Sequence, residues 1–134
     1  METVKIIQLP QLLEERGNLT FIESDAHIPF KVKRAHWIYD VPGGEFRGSH
    51  AYKKNREFII ALSGSFDLVL HDGDIEYRYH LNRSYFGEVV PKMTWRMLEN
   101  FSTNSLAVII ASTEYDANDY ILDFEEFKKE KTKC

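Results

Sequence analysis

The residues best suited to proton chemistry lie close together in the segment RGSHAYKKNRE, residues 47–57. His50 and Tyr52 are two positions apart, so on a β-strand their side chains point to the same side. A histidine can exchange a proton near neutral pH, and an adjacent hydroxyl can donate a hydrogen bond to a developing negative charge. The pair therefore predicts a site that removes a proton next to a carbonyl group. The alternative is a purely structural role, with His50 hydrogen-bonded inside a sheet.

The same segment resembles half of the metal-binding motif of cupins, which combines an HxH, a later Glu and a third His beyond a Pro. The corresponding residues here are His50, Tyr52, Glu57 and, after Pro91, Arg96. An arginine has no lone pair to offer and keeps its charge, so it would repel a divalent cation. We therefore expect no metal. We expect Arg96 to face an anion instead, such as a phosphate, a carboxylate or an enolate oxygen.

Short segments rich in β-branched and aromatic residues recur along the chain, with turn signals between them. They are KIIQL, LTFIE, RAHWIYDV, REFIIAL, SFDLVLH, DIEYRYHL, YFGEVV, TWRMLE and LAVIIAS. Many short strands without long helical patterns predict an all-β sandwich or barrel, of which the jelly roll is the common small form. On such a barrel the Glu57 side chain could continue the lining that His50 and Tyr52 begin.

The clearest local unit is SFDLVLHDGDIEYRYHL, residues 65–81. Apolar residues alternate with other residues on both sides of the turn signal Asp72-Gly73, which predicts a β-hairpin with one buried face. The residues expected on that face are Phe66, Leu68, Leu70, Ile75, Tyr77, Tyr79 and Leu81.

Only the tail has a helical pattern. From about Asp116 to Lys131, the apolar residues Tyr120, Ile121, Phe124 and Phe127 recur at helical spacing beside a charged face. The tail is therefore expected to form one amphipathic helix that packs on the barrel or on a partner subunit.

The composition limits the classes of function. At 134 residues and 43% hydrophobic content the chain, residues 1–134, is expected to form one domain. Its formal charge of −4 comes without a basic block, which argues against nucleic acid as a partner. It has no apolar run of membrane-spanning length and no signal-like N-terminus, so we expect a cytoplasmic protein with no membrane partner. Cys134, the only cysteine, can form neither an internal disulfide nor a zinc-cysteine site.

Five segments together resemble the sugar 3,4-ketoisomerase family: EERGNLTFIES, IPFKVKRAHWIYDV, RGSHAYKK, PKMTWRMLENFS and ASTEYDANDYI. The match runs from about residue 6 to about residue 127, in the same motif order. The resemblance implies a metal-free cupin jelly roll that forms a homodimer with exchanged N-terminal strands. It also implies a reaction on dTDP-4-keto-6-deoxyglucose, in dTDP-amino-sugar synthesis, in which the ketone moves from C4 to C3 without a redox cofactor.

Transferred position by position, the resemblance implies that His50 is the catalytic base. The second His of the family's motif is Tyr52 here, and the family's upstream active-site tyrosine corresponds to His36, within KRAHWI. Tyrosine and histidine have therefore exchanged places. If His36 and Tyr52 lie on neighbouring strands and face one cavity, its proton-handling groups would be preserved in a different arrangement.

Two arginines bear on the configuration of the product that the resemblance implies. Arg16 matches the branch of the family whose product has galacto configuration, whereas Arg96 matches the gluco branch. We expect galacto slightly in preference to gluco. In this interpretation Arg16, Arg96 and Tyr52 are candidates to stabilise the oxyanion that forms when the C3 proton leaves.

The remaining substrate contacts are less specific. Arg47 resembles the family's arginine before the Gly and is expected to anchor the diphosphate, with a surface position as the alternative. Trp37 and Trp95 could stack on thymine or sugar, or could belong to the core. The tail motif with Tyr115 and Tyr120 is expected to be structural.

Two other functions remain open. One is a dTDP-sugar 3,5-epimerase, which shares the barrel but pairs its base with an Asp in a pattern that is not found here. The other is a non-catalytic cupin that binds a sugar nucleotide, for which the replacement of the second His by Tyr52 is the supporting feature.

Overall fold

The computed structural model describes residues 4–133. Within that range the chain forms twelve strands and one α-helix. The strands are β1 (Lys5–Gln8), β2 (Gln11–Leu12), β3 (Leu19–Thr20), β4 (Arg34–Tyr39), β5 (Arg47–Tyr52), β6 (Glu57–Ser63), β7 (Phe66–His71), β8 (Glu76–Leu81), β9 (Phe86–Val90), β10 (Trp95–Glu99), β11 (Leu106–Ala111) and β12 (Tyr120–Ile121), and the helix α1 spans Phe124–Thr132.

Two five-stranded antiparallel sheets pack against each other. Their strand orders are β1-β9-β6-β11-β4 and β12-β5-β10-β7-β8, and β2 and β3 form a separate hairpin. The space between the sheets is filled by apolar side chains from both, because alternate residues of each strand point inward. These are Ile59, Ala61, Phe66, Leu68, Leu70, Leu81, Val90, Leu98, Ala107 and Ile109. The expected all-β architecture is confirmed.

The outer face of the first sheet is also apolar in part. Phe58 and Ile60 of β6 point away from the inner core and pack with Leu9, Ile28 and Phe30 of the N-terminal segments. Burial on both faces explains why β6 contains the continuous apolar run FIIA rather than an alternating pattern, whereas the following Leu62 is exposed. Strand β1 pairs with β9 of the same chain, with Lys5 opposite Val89.

The predicted hairpin is present as β7 and β8, with Phe66 opposite Leu81. Phe66, Leu68, Leu70 and Leu81 are buried as expected, whereas Ile75 and Tyr77 are exposed. Strand β8 is the edge strand of its sheet, which is consistent with the exposure of these two residues.

The tail differs from the predicted single helix. Residues Ala117–Asp119 form a short 3-10 turn, Tyr120 and Ile121 pair with β5, and α1 begins only at Phe124. Asp123 caps the helix, since its carboxylate accepts a hydrogen bond from the Glu126 amide at 3.0 Å. Strand pairing with β5 therefore overrides the helical pattern of residues 116–122. Helix α1 then buries Phe127 against the barrel.

No helix between residues 4 and 133 combines the length and the apolar character that crossing a bilayer requires. Cys134 lies outside the described residues.

Glu88 of β9 is a carboxyl group in the apolar interior. It is fully buried, and neither carboxylate oxygen has a hydrogen-bond partner among residues 4–133. Burial raises the pKa of Glu88 from 4.5 to about 7, because an ion without water or a partner is costly. The titratable neighbour is Tyr79, whose pKa is raised by burial and secondly by the charge of Glu88.

This burial predicts a pH-dependent stability. The folded pKa lies above the unfolded value, so the contribution of Glu88 is fully present below about pH 4.5 and is lost as the pH rises through about 7. The difference corresponds to about 3 kcal/mol at most. The free energy of unfolding in urea should be measured at pH 5 and at pH 8 for each variant. Its decrease from pH 5 to pH 8 should be smaller for Glu88→Gln than for the wild type. The exposed control Glu76→Gln should show the same decrease as the wild type. If Glu88→Gln also shows this decrease, the account is refuted.

Candidate active site

Four strands bring the candidate residues to one region between the sheets. On one side, His50 of β5 lies opposite Arg96 of β10, and Tyr52 lies opposite Tyr120 of β12. On the other side, His36 of β4 lies opposite the buried Ile109, so its side chain points inward. Strands β4 and β5 belong to different sheets, so these side chains approach one another from the two sheets.

Three rings form an aromatic triangle in this region. The ring centroids of His50 and Tyr52 are 4.9 Å apart, those of His50 and Tyr120 are 5.0 Å apart, and those of Tyr52 and Tyr120 are 4.7 Å apart. These separations are typical of edge-to-face and tilted ring packing. The triangle holds the imidazole in a fixed orientation and places two phenol groups beside it.

His50 is held in its neutral form. Burial is the largest cause, and the charges of Arg96, His36 and Arg34 add to it, lowering the His50 pKa from 6.5 to about 3. Its Nε2 atom is buried and has no hydrogen-bond partner in the described part of the chain. An imidazole whose ring nitrogen meets no group in the described range has a free position at which it could accept a proton, the step that a general base performs.

His36 belongs to the same electrostatic environment. Burial is the main cause that lowers the His36 pKa, with Glu57 opposing the shift and Arg96 and Arg34 adding to it. Its charge also acts on His50. His36 therefore approaches His50 and Tyr52 from the opposing sheet, and the expectation that His36 and Tyr52 lie on neighbouring strands is wrong.

Tyr52 remains a neutral phenol. Burial, followed by the nearby Glu57 carboxylate, raises the Tyr52 pKa well above its usual range. Its hydroxyl is buried and meets no partner at hydrogen-bonding geometry among residues 4–133, although the Arg96 guanidinium and the Tyr120 hydroxyl lie near enough to influence its titration. A protonated phenol of this kind can donate a hydrogen bond to an oxygen that becomes negative.

Arg96 is not available to substrate in the way the sequence suggested. Its Nε donates to Glu57 Oε1 at 2.7 Å and its Nη2 donates to Glu57 Oε2 at 3.1 Å. The third nitrogen, Nη1, donates to the Gly48 carbonyl at 3.1 Å. Both side chains are buried, at 1% and 0% exposure. Glu57 neutralises the guanidinium, and neither side chain is exposed to hold an anion. Because Arg96 lies opposite His50 on the paired strand, this buried ion pair, termed the brace, supports the strand of His50.

Gly48 is required by this brace. Its φ of +69° lies in the left-handed region, and a Cβ there would collide with the Arg96 guanidinium. Gly48→Ala should therefore lower the unfolding free energy by about 1–3 kcal/mol in urea titrations. Gly43→Ala is the matched control, since a Cβ at Gly43 meets nothing within 4 Å. Equal effects of the two substitutions would contradict the proposed packing.

Two predicted site residues lie elsewhere in this chain. The Arg16 side chain is 90% exposed and pairs with Glu14 at 2.8 Å, in the loop between β2 and β3. Trp95 points to the opposite face of β10 from Arg96, and its ring packs on Phe124 and Phe127 at centroid distances of 5.3 and 5.8 Å. The structure thus places Trp95 under helix α1, where it stabilises the tail and does not reach this site.

Trp37 and Arg47 line a cavity. It has a volume of about 470 Å³, and it lies between β4 and the loop that leads into β5, with Tyr39 and Phe46 also in its wall. Trp37 points away from His36, as alternate residues of a strand must, and is 58% exposed. The aromatic surface and the arginine at this place could contact a nucleotide.

Two residues of the site were missed in the sequence. Tyr120 was assigned to the start of a helix, and only the pairing of β12 with β5 brings it to His50. Arg34 stands two positions before His36 on β4, so its inward orientation follows from the same alternation that places His36. The alternation rule alone could have found Arg34, whereas Tyr120 needed the strand register.

No group of three or more His, Cys, Asp or Glu side chains in the described range is arranged to hold a metal ion.

Comparisons with known proteins agree on one family. The family model FdtA, described as WxcM-like, C-terminal, matches residues 2–132. The TDP-4-oxo-6-deoxy-alpha-D-glucose-3,4-oxoisomerase of Aneurinibacillus thermoaerophilus is 36% identical over 125 residues, which cover 93% of this chain and 90% of the relative.

Solved structures give the same result. A 3,4-ketoisomerase from Helicobacter canadensis matches with a TM-score of 0.94 and 35% identity, over 96% of this chain and 97% of that chain. QdtA, a sugar 3,4-ketoisomerase from Thermoanaerobacterium thermosaccharolyticum, was solved with TDP and matches with a TM-score of 0.94 and 32% identity, over 97% and 95% of the two chains. A mutant of that enzyme was solved with TDP-4-keto-6-deoxyglucose.

A more distant likeness concerns the fold alone. The dTDP-4-dehydrorhamnose 3,5-epimerase of Bacillus anthracis has a TM-score of 0.77 at 16% identity, over 87% of this chain and 76% of that chain. The expected cupin-like fold is thereby confirmed. With a family model that covers nearly the whole chain and relatives above 30% identity, this protein belongs to the FdtA family of sugar 3,4-ketoisomerases.

Proposed function

We propose that the protein converts dTDP-4-keto-6-deoxy-D-glucose into a dTDP-3-keto-6-deoxyhexose, with His50 as the general base. The observation that carries this proposal is the geometry of His50, whose buried Nε2 has no partner among residues 4–133 and whose ring packs against two tyrosines. The curated relative is named for the same substrate, and QdtA binds TDP. The proposed reaction would supply an intermediate for the synthesis of dTDP-linked amino sugars.

The proposed reaction is an internal transfer of hydrogen that needs no redox cofactor. The C3–H bond is acidic because the neighbouring C4 ketone can take up the electron pair as an enediolate. His50 accepts the C3 proton, and C4 is then protonated while a proton moves from the C3 oxygen to the C4 oxygen. The product carries its ketone at C3, and the substrate and product have the same atoms and the same number of electrons.

The hydroxyl groups beside His50 assist this transfer. The buried Tyr52 phenol stays protonated, so it can donate a hydrogen bond to the sugar oxygens as they gain charge. Tyr120, packed at 4.7 Å from the Tyr52 ring, extends the same wall. His36 approaches His50 and Tyr52 from the opposing sheet and is the second imidazole through which a proton could pass between the two oxygens. In this proposal the exchange of Tyr and His between positions 36 and 52 preserves the proton-handling groups.

The nucleotide is proposed to occupy the cavity next to β4. Arg47 offers a planar guanidinium with paired donors that suit a diphosphate, and Trp37 offers an exposed aromatic face for thymine or sugar. Both residues border the loop that leads into the strand of His50. Because β4 is the edge strand of its sheet, the sugar of a nucleotide bound there would have to pass around this edge to reach the aromatic triangle.

A homodimer is part of the proposal. The β2–β3 hairpin exposes Leu12, Leu13 and Leu19, an apolar set that a partner subunit could cover. Exchange of N-terminal segments between subunits would carry Arg16, which stands in the loop of this hairpin, toward the partner. Arg16 is also the residue that favours galacto over gluco configuration at C4, through its resemblance to that branch of the family.

The test is a proton NMR time course with purified protein and dTDP-4-keto-6-deoxyglucose. Signals of a 3-keto sugar nucleotide should replace those of the substrate, and the coupling constants at H4 report the configuration. Saturable binding of the nucleotide without any conversion would overturn the proposal and favour a non-catalytic binding protein. Inversion at C5 without ketone migration would favour an epimerase.

A further inference from the structure

Arg34 is a cation at the active site that no carboxylate neutralises within residues 4–133. The contrast with Arg96 is clear, because Arg96 donates two hydrogen bonds to Glu57. Arg34 lies on β4 two positions before His36, on the same inward face. Its charge lowers the pKa of both His36 and His50, after the larger effect of burial, so it lies within electrostatic reach of both imidazoles.

The guanidinium packs on an aromatic ring, and one of its nitrogens has no acceptor in the described range. It lies over the ring of Tyr115, 5.8 Å from the ring centroid, as in a cation–π contact. Tyr115 in turn lies 5.9 Å from Tyr120, which links Arg34 to the aromatic triangle. The Nε atom of Arg34 is buried and has no acceptor in the described range. A buried donor without an acceptor is costly, so an acceptor supplied by a ligand is expected there.

We propose that Arg34 donates a hydrogen bond to the C4 oxygen of the sugar and stabilises the enediolate formed when His50 removes the C3 proton. This inference rests on the proposed ketoisomerase activity. As the C3–H bond breaks, its electron pair moves toward the C4 carbonyl, and the negative charge collects on that oxygen. A fixed cation at this position interacts more strongly with the transition state than with the neutral ketone, so it raises kcat. Tyr115 is a positioning residue that acts through Arg34.

A diphosphate contact is the competing role for the same guanidinium. The diphosphate has its full charge before and after reaction, so a residue that holds it binds ground state and transition state alike and changes KM more than kcat. The two roles are therefore separable by kinetics and by the binding of dTDP alone, which carries the diphosphate and lacks the sugar.

The experiment compares Arg34→Gln and Arg34→Lys with the control Arg83→Gln, which removes the same charge from an exposed loop between β8 and β9. We expect Arg34→Gln to lower kcat by about 10²–10³, the loss typical of one oxyanion donor, with dTDP affinity within about twofold of the wild type. Arg34→Lys should lose less, because the charge remains. In the free protein, the NMR titration midpoint of His36 should rise in Arg34→Gln, provided that the fold is retained by circular dichroism.

Other outcomes would overturn the inference. A dTDP affinity at least tenfold weaker with unchanged kcat would assign Arg34 to the diphosphate. Kinetics equal to those of Arg83→Gln would remove Arg34 from the site altogether. Absence of turnover in the wild type would show that the proposed function itself fails, and the enediolate role would fall with it. That last result is distinguishable because it does not depend on any Arg34 variant.

Discussion

Replacing His50 with asparagine should lower kcat by about 10²–10⁴, the usual contribution of a general base. Asparagine has no group that can accept the C3 proton near neutral pH, yet it keeps a planar polar side chain beside Tyr52 and Tyr120. The dTDP affinity should change little, because the nucleotide is proposed to bind at the cavity of Trp37 and Arg47. Steady-state kinetics and calorimetric titration with dTDP measure the two effects separately.

The matched control for this substitution is His80→Asn. His80 lies on β8, is exposed and pairs with Asp67 at 2.8 Å, far from the aromatic triangle in the strand order of its sheet. It should retain wild-type kcat. Full activity of His50→Asn, or an equal loss in both variants, would show that His50 is a structural histidine.

Replacing Glu57 with glutamine should produce the largest loss of stability. The substitution leaves the Arg96 guanidinium buried at 1% exposure without its counter-ion. Breaking a buried ion pair at one partner typically costs about 3–5 kcal/mol, because the remaining charge loses the interaction that offset its desolvation. Urea unfolding monitored by tryptophan fluorescence gives the difference in unfolding free energy. The loss should extend to activity, since the brace lies beneath His50.

Two further variants serve as controls for this prediction. Glu125→Gln removes a carboxylate from the exposed pair with Lys128 at 3.3 Å, and should cost no more than about 1 kcal/mol. The double variant Glu57→Leu with Arg96→Met removes both charges, and should recover much of the stability lost in Glu57→Gln. A cost for Glu57→Gln no larger than that of Glu125→Gln would mean that the pair does not brace the site.

The strands were predictable from the sequence because local rules govern them. Alternation along β7 and β8, with the turn at Asp72-Gly73, led directly to the observed hairpin. The same rule put His50 and Tyr52 on one side of β5, where their rings lie 4.9 Å apart. These features depend on neighbours in the chain, and the physics of a pleated strand is the same in any fold.

The contacts between distant segments could not be predicted in this way. Residues 116–122 have a helical pattern, but Tyr120 and Ile121 pair with β5 instead. Tyr120 therefore lies in the site, and α1 begins only at Phe124. Similarly, Arg96 was expected to meet a ligand anion, but Glu57 lies close enough to neutralise it. Which charges meet in a buried interior depends on the register of several strands, and no local pattern contains that information.

Positions 36 and 52 needed both the motif order and the structure to be interpreted. Motif order indicated that Tyr and His had traded places relative to the family. The structure adds that His36 faces His50 from an opposing sheet and that Tyr52 packs directly against His50. A site can therefore hold the same chemical groups from different strands.

The most direct test of the account is deuterium exchange at C3 of dTDP-4-keto-6-deoxyglucose in deuterated buffer, followed by NMR. The wild type should incorporate deuterium at the sugar as the 3-keto product appears, because the proton that His50 removes exchanges with solvent before it is returned. In His50→Asn, exchange and product formation should both be slower by the same factor of about 10²–10⁴. A wild type that binds the nucleotide and forms no product, with the C3 proton retained, would contradict the claim that this site performs proton abstraction.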